Sequence, residues 1–155
     1  MICKLLKNGE KIPENGKNSS TMKETEIISK TGIIENSDEK IFNFLSDMRN
    51  LDKIIPPNIE NWVSTENSCS FNAKGQNISL SIIEKEAFKT IKISGDQSLA
   101  EKFNFWIQLK KTEDYKTAAR IVVRAKLNMI ERAAVKKPMQ DGLDTIIDYL
   151  KAIPY

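Results

Sequence analysis

The sequence predicts an α+β domain in which a curved antiparallel sheet of seven strands wraps around a long C-terminal helix. Two patterns carry this prediction. Between residues 59 and 128, six segments alternate apolar with polar residues, and from Met139 to Ile153 apolar residues recur at helical spacing. Period-two alternation means strands with one packed face and one wet face, and a sheet with one apolar face needs a cover, which the single long amphipathic helix supplies. The length of 155 residues suits one domain around one core.

Taken in chain order, residues 1–21 (MICKLLKNGEKIPENGKNSST) are rich in Lys, Asn, Gly and Ser, hold no periodicity, and read as a flexible tail preceding a domain over 22–155. Lys23 to Glu35 carries Ile27, Ile28, Ile33 and Ile34 and reads as one strand. Ser37 offers an N-cap, and Asp38 and Glu39 suit the positive end of a helix dipole. Ile41, Phe42, Phe44, Leu45 and Met48, continued by Leu51, Ile54 and Ile55, give two short helices or one bent helix, ended by Pro56-Pro57.

Six strands then follow with short turns, an antiparallel meander. They are Ile59–Thr65, Ser68–Lys74, Asn77–Glu84, Phe88–Ser94, Lys102–Lys111 and Ala119–Asn128. In the final segment Met139, Leu143, Ile146, Ile147, Leu150 and Ile153 form one stripe. Pro138 either kinks this helix or starts its longer part, and Pro154 ends it. The order is β-α-α-β6-α.

Composition narrows the function classes. The formal net charge is +3, but residues 1–21 hold four Lys against two Glu, which leaves 20 basic and 19 acidic side chains in the domain. That balance argues against a nucleic-acid partner. No apolar run of about 18 residues exists, so stable membrane insertion is not expected. The chain has no histidine, which excludes an imidazole base, a Ser-His-Asp or Cys-His arrangement and a His-ligated metal. Cys3 and Cys69 are too few and too far apart for a disulfide scaffold or a zinc site. Lys4, Lys7, Glu10 and Lys11 interrupt the N-terminal stretch before a signal-peptide core can form, so a cytoplasmic protein is expected. No metal and no cofactor is assigned.

Several segments resemble one superfamily: Phe42-Asn43-Phe44-Leu45-Ser46-Asp47-Met48-Arg49-Asn50-Leu51, Glu60-Asn61-Trp62, Phe105-Trp106-Ile107-Gln108-Leu109, Lys136-Lys137-Pro138-Met139-Gln140 and Ile153-Pro154-Tyr155. Together with the element order they are similar to the START-like, or SRPBCC, superfamily, and within it to small bacterial proteins of the polyketide-cyclase/dehydratase-like kind. The resemblance covers residues 22–155. It implies a helix-grip fold with room for an apolar molecule between sheet and helix, and it names no substrate.

The candidate ligand wall follows from the alternation. It takes Phe71, Leu80, Ile82, Ile91, Phe103, Phe105, Ile107 and Val123 from the sheet and Met139, Leu143 and Ile146 from the helix. Such a wall suits a lipid, quinone, isoprenoid or polyketide-like molecule held by burial; the same side chains would equally fill a solid core. No catalytic residue is assigned. Glu84, Glu86, Asp96, Asp47, Arg49, Tyr115 and Tyr149 form no pair at mechanistic spacing. A cyclase or dehydratase would need a buried ionisable group facing the cavity. A third reading is a protein partner on the outer sheet face, where parity places Trp106 beside Arg120 and Arg124.

Overall fold

In the computed structural model, which describes residues 23–55, 59–73, 75–95 and 103–155, the elements run β1 (Lys23–Ile28), β2 (Gly32–Ile34), α1 (Asp38–Leu45), a 3-10 helix (Met48–Ile54), β3 (Ile59–Ser64), β4 (Ser68–Ala73), β5 (Gln76–Glu86), β6 (Thr90–Gly95), β7 (Phe103–Glu113), β8 (Lys116–Leu127) and α2 (Met129–Ala152). The expected tail, the Pro56-Pro57 turn and the segment Asp96–Glu101 lie outside the described residues. The strands form one antiparallel sheet in the order β1-β8-β7-β6-β5-β4-β3, with β2 also on β8. The fold is the expected sheet around a C-terminal helix.

The single first strand expected over 23–35 is divided. Both halves pair with β8, Ile27 opposite Val123 and Ile33 opposite Ala118, and Ser29 accounts for the break. Its N–H donates to the Ile121 carbonyl at 2.9 Å, while the Ile121 N–H donates to the Ser29 hydroxyl at 2.8 Å. A side-chain oxygen thus takes the place of a ladder carbonyl, and the chain bends outward over Lys30 and Thr31 before rejoining.

The first helix starts as its sequence dictates: the Ser37 hydroxyl accepts from the Lys40 N–H at 3.2 Å, and Ile41, Phe42 and Leu45 are buried. Helix α2 opens on a reciprocal cap. The Glu131 N–H donates to Asn128 Oδ1 at 2.8 Å, and the Asn128 N–H donates to Glu131 Oε1 at 3.1 Å. The helix continues through Pro138 to Ala152, so the proline does not divide it. Beyond its end the Tyr155 hydroxyl donates to the Leu150 carbonyl at 2.6 Å, and the Tyr155 ring meets Phe44 edge-on at 5.2 Å. Those contacts fasten the helix terminus to α1.

The helix packs on β1, β2, β8 and the 3-10 helix, and none of β3 to β7 comes as close. Gly32 sets that seat: a Cβ there would lie 2.5 Å from Ile147 Cγ2 and 3.1 Å from Lys151 Cδ. Gly32→Ala is therefore expected to cost about 1–3 kcal/mol through overpacking, read as a lower urea midpoint with an unchanged slope.

Candidate functional site

The seating of α2 on one side of the sheet divides the concave face. Beneath the helix and α1, Ile91, Val123 and Ile147 are fully buried, and Ile107, Leu109, Ile121 and Leu143 nearly so. Toward β3–β5 and the first residues of β7, Ile78, Leu80, Ile82, Phe103 and Phe105 face the core but are only half-buried, as are Met139 and Ile146 on the helix. The sheet alternation places all eleven expected wall residues on the concave face or on the helix side turned to it. Ile91, Ile107, Val123 and Leu143 belong to the sealed part, with Phe71 close to it at 8% exposure; Leu80, Ile82, Phe103, Phe105, Met139 and Ile146 border the open part.

Away from the strand ends, the inner positions of β4 to β8 with described side chains are uncharged, among them Cys69, Phe71, Ile78, Leu80, Ile82, Ile91, Ile93, Phe103, Phe105, Ile107, Leu109, Thr117, Ala119, Ile121, Val123, Ala125 and Leu127; Lys85, opposite Ile91, and Lys111, opposite Thr117, bring exposed ammonium groups to the ends of β5 and β7. The one hydroxyl among them, on Thr117, donates to the Asn36 carbonyl at 2.9 Å. Cys69 is buried with a free thiol, and burial pushes that thiol up to about 11. A thiol held that far above pH 8 is a poor nucleophile. In a Cys3→Ser variant, iodoacetamide is expected to alkylate Cys69 roughly a hundredfold more slowly in the folded protein than in urea, as followed by mass spectrometry.

One side chain of this face was missed by the sequence reading. Strict alternation from Ile59 sends Trp62 outward, but β3 carries a bulge: Glu60 faces Asn72, Val63 faces Ser70, and Asn61 and Trp62 together oppose Phe71. Asn61 sits in the left-handed region at φ 56°, a conformation that asparagine tolerates better than most residues. The extra residue turns Trp62 inward, where it stacks on Phe71 with centroids 5.7 Å apart and planes 19° from parallel. Its indole Nε1 is buried and has no hydrogen-bond partner among the described residues. An asparagine immediately before a tryptophan inside a strand is the signal that would have exposed the bulge.

The outer face differs from expectation. Trp106 and Arg124 do project outward, yet they are 7% and 3% exposed. Lys92 Nζ lies 5.2 Å and the Arg124 guanidinium 5.7 Å from the Trp106 ring centroid, and Arg124 Nη2 donates to Glu26 Oε2 at 2.7 Å. The outer tryptophan is thus a covered ring beside a paired guanidinium. Arg120 is exposed, with Nε donating to Gln108 Oε1 at 2.7 Å. A shallow groove of about 590 Å³ runs here between Glu26, Glu84, Lys92 and Arg120.

Of the remaining ionisable candidates, Asp96 lies outside the described residues and Tyr149 on α2 packs partly buried against the core; the others pair locally or are exposed. Asp47 pairs with Arg49, Nη2 to Oδ2 at 2.6 Å, and hydrogen bonds from that side chain and backbone hold its carboxyl down to about 2. Tyr115 is 73% exposed in the β7–β8 turn, and Glu84 and Glu86 are exposed on β5. Phe88, expected to open a strand, instead occupies the β5–β6 turn at φ 63° and meets Phe42 edge-on at 5.7 Å. Among the described residues no cluster of His, Cys, Asp or Glu is arranged to hold a metal ion, and no helix is long and apolar enough to cross a membrane.

No protein-family model matches the chain, and no curated protein matches it in sequence. Solved structures do. A START superfamily protein from Mycobacterium smegmatis superimposes with a TM-score of 0.63 at 14% identity, over 82% of this chain and 94% of that one. Norcoclaurine synthase from Thalictrum flavum, solved in complex with dopamine and hydroxybenzaldehyde, gives 0.66 at 12% identity, over 87% and 88%. The Aha1 dimer from Colwellia psychrerythraea gives 0.54 at 19% identity, over 82% and 96%. These likenesses show the fold, a helix grip of the START/Bet v 1 type.

Proposed function

We propose that this helix-grip domain binds a hydrophobic small molecule, of lipid, quinone, isoprenoid or polyketide-like character, between the concave face of its sheet and helix α2. One observation carries the reading: Leu80, Ile82, Phe103, Phe105, Met139 and Ile146 face the core, yet this apolar stretch is left half-buried. A core that only had to be filled would bury such side chains as fully as Ile91 or Val123. Covering roughly 300 Å² of ligand would contribute about 7 kcal/mol before association costs. Norcoclaurine synthase, solved with two small aromatic molecules, has the same fold, which supports looking for the ligand in the grip. The apolar character of that stretch favours binding over proton-transfer chemistry. The covered Trp106 and paired Arg124 weaken the case for a protein partner on the outer face. A cytoplasmic setting, where Cys69 stays a free thiol, completes the reading.

Native mass spectrometry of protein purified from its own host, followed by organic extraction, tests this directly. An extractable apolar adduct is the expected result. A bare mass, with no uptake of fatty acid, quinone or polyaromatic probes, defeats the reading. Ile82→Asp places a carboxylate at the edge of the wall where water still reaches it. It is expected to weaken probe binding at least about tenfold while destabilising the fold by about 1 kcal/mol or less, as measured by isothermal titration and urea unfolding.

A further inference from the structure

We infer that the ligand of the grip presents a neutral hydrogen-bond acceptor, a carbonyl-type oxygen, to the indole N–H of Trp62. The inference rests on the binding reading above. A buried donor without an acceptor is disfavoured by the desolvation of its N–H, and the Trp62 Nε1 is such a donor. Its position is imposed by the backbone: the β3 bulge and the left-handed Asn61 turn the ring inward, where it lies flat on Phe71. Straightening the strand would release the indole to the outer face, so the bulge maintains an unsatisfied donor that a regular strand would avoid. Bulges and left-handed non-glycine residues concentrate where a side chain must be re-aimed for function. Among the described residues no other buried side-chain polar atom of the concave face lacks a partner, Thr117 for one donating to the Asn36 carbonyl, which leaves the Trp62 N–H to orient a guest.

The acceptor must also be uncharged. The cationic side chains at the described inner positions of β4 to β8, Lys85 opposite Ile91 and Lys111 opposite Thr117, are exposed near the ends of β5 and β7, whereas Trp62 lies on Phe71, opposite Ile78 near the other end of β5, so a carboxylate drawn to Trp62 would lose its hydration with one neutral donor in exchange. A ketone, quinone, ester or lactone oxygen is stripped of water at far lower cost. A pure hydrocarbon forgoes the bond.

Acetylnaphthalene and isopropylnaphthalene match in size and differ in the carbonyl oxygen, and naphthoate adds the charge. Titration calorimetry on the full chain is expected to show acetylnaphthalene binding about tenfold more tightly than the other two. Trp62→Phe, which keeps a ring on Phe71, should erase that preference and leave isopropylnaphthalene within about twofold. In the unmodified protein, acetylnaphthalene should also move the Trp62 indole N–H resonance downfield, with the two tryptophan signals assigned through Trp62→Phe or Trp106→Phe. Two results overturn the inference while leaving the grip reading intact. One is binding of all three probes with the same ratios in Trp62→Phe; the other is an unmoved Trp62 resonance under saturating acetylnaphthalene. Tighter binding of naphthoate than of acetylnaphthalene overturns the neutral-acceptor assignment. Failure of every probe to bind overturns the grip reading together with this one.

Discussion

Ile147→Ala is expected to remove about 3–4 kcal/mol of stability, a large share of the 5–15 kcal/mol typical of a domain. Ile147 has no exposed surface, and it sits where α2 meets β2, its Cγ2 against the bare Cα of Gly32. Truncation leaves a cavity that the helix cannot close, because the cap at Asn128 and the Tyr155 contacts hold both ends of α2 in place. Equilibrium urea unfolding measures the loss. Coupling with Gly32→Ala sharpens the result. The added methyl collides chiefly with the γ2 methyl of Ile147, so the double variant should be more stable than the two single effects predict by addition. Strict additivity would mean that Gly32→Ala acts through strand geometry rather than through the helix seat.

The fold was legible because its signals are long and redundant. The alternation of Ile121, Val123, Ala125 and Leu127 against Arg120, Arg124 and Lys126 could mean only a half-buried strand, and the stripe from Leu143 to Leu150 only a helix over its concave face. What stayed hidden arises where one side chain overrides the period. Ser29 substitutes its hydroxyl for a ladder carbonyl and divides the first strand; Asn61 adopts a left-handed turn and reverses Trp62; Phe88 leaves the alternation to pack on Phe42. Each depends on a partner distant in sequence or on the strand opposite, and no local pattern encodes that. Of the candidate site, the alternation gave the face on which its apolar residues lie, whereas the inward turn of Trp62 depended on a bulge. Parity also gave the direction of Trp106 correctly but not its exposure, since it says which way a ring points and nothing of what lies over it.

Arg124→Glu is expected to destabilise the protein by about 3–5 kcal/mol, toward the lower figure because Glu26 is one-third exposed. Arg124 and Glu26 face each other directly across β1 and β8, so the reversal sets two carboxylates opposite one another at a position 3% exposed. It also strips the guanidinium from the Trp106 ring, opening an aromatic surface to water. Arg124→Met separates these effects. A flexible apolar chain still covers Trp106, and Glu26 recovers hydration through its exposed third, so a change within about 1 kcal/mol is expected. Arg120→Glu, on the same face but exposed and bonded to Gln108, should stay within about 0.5 kcal/mol. Urea unfolding of the three variants checks the order. The order bears on function as well as stability. A double reversal at Arg120 and Arg124 would mix loss of stability with loss of a partner, and so could not report cleanly on the outer face as an interaction surface. Arg120→Glu keeps the fold and changes the field. If a protein partner does bind this face, that variant weakens it with no change in the urea midpoint, and unchanged capture assigns the outer face to solvent.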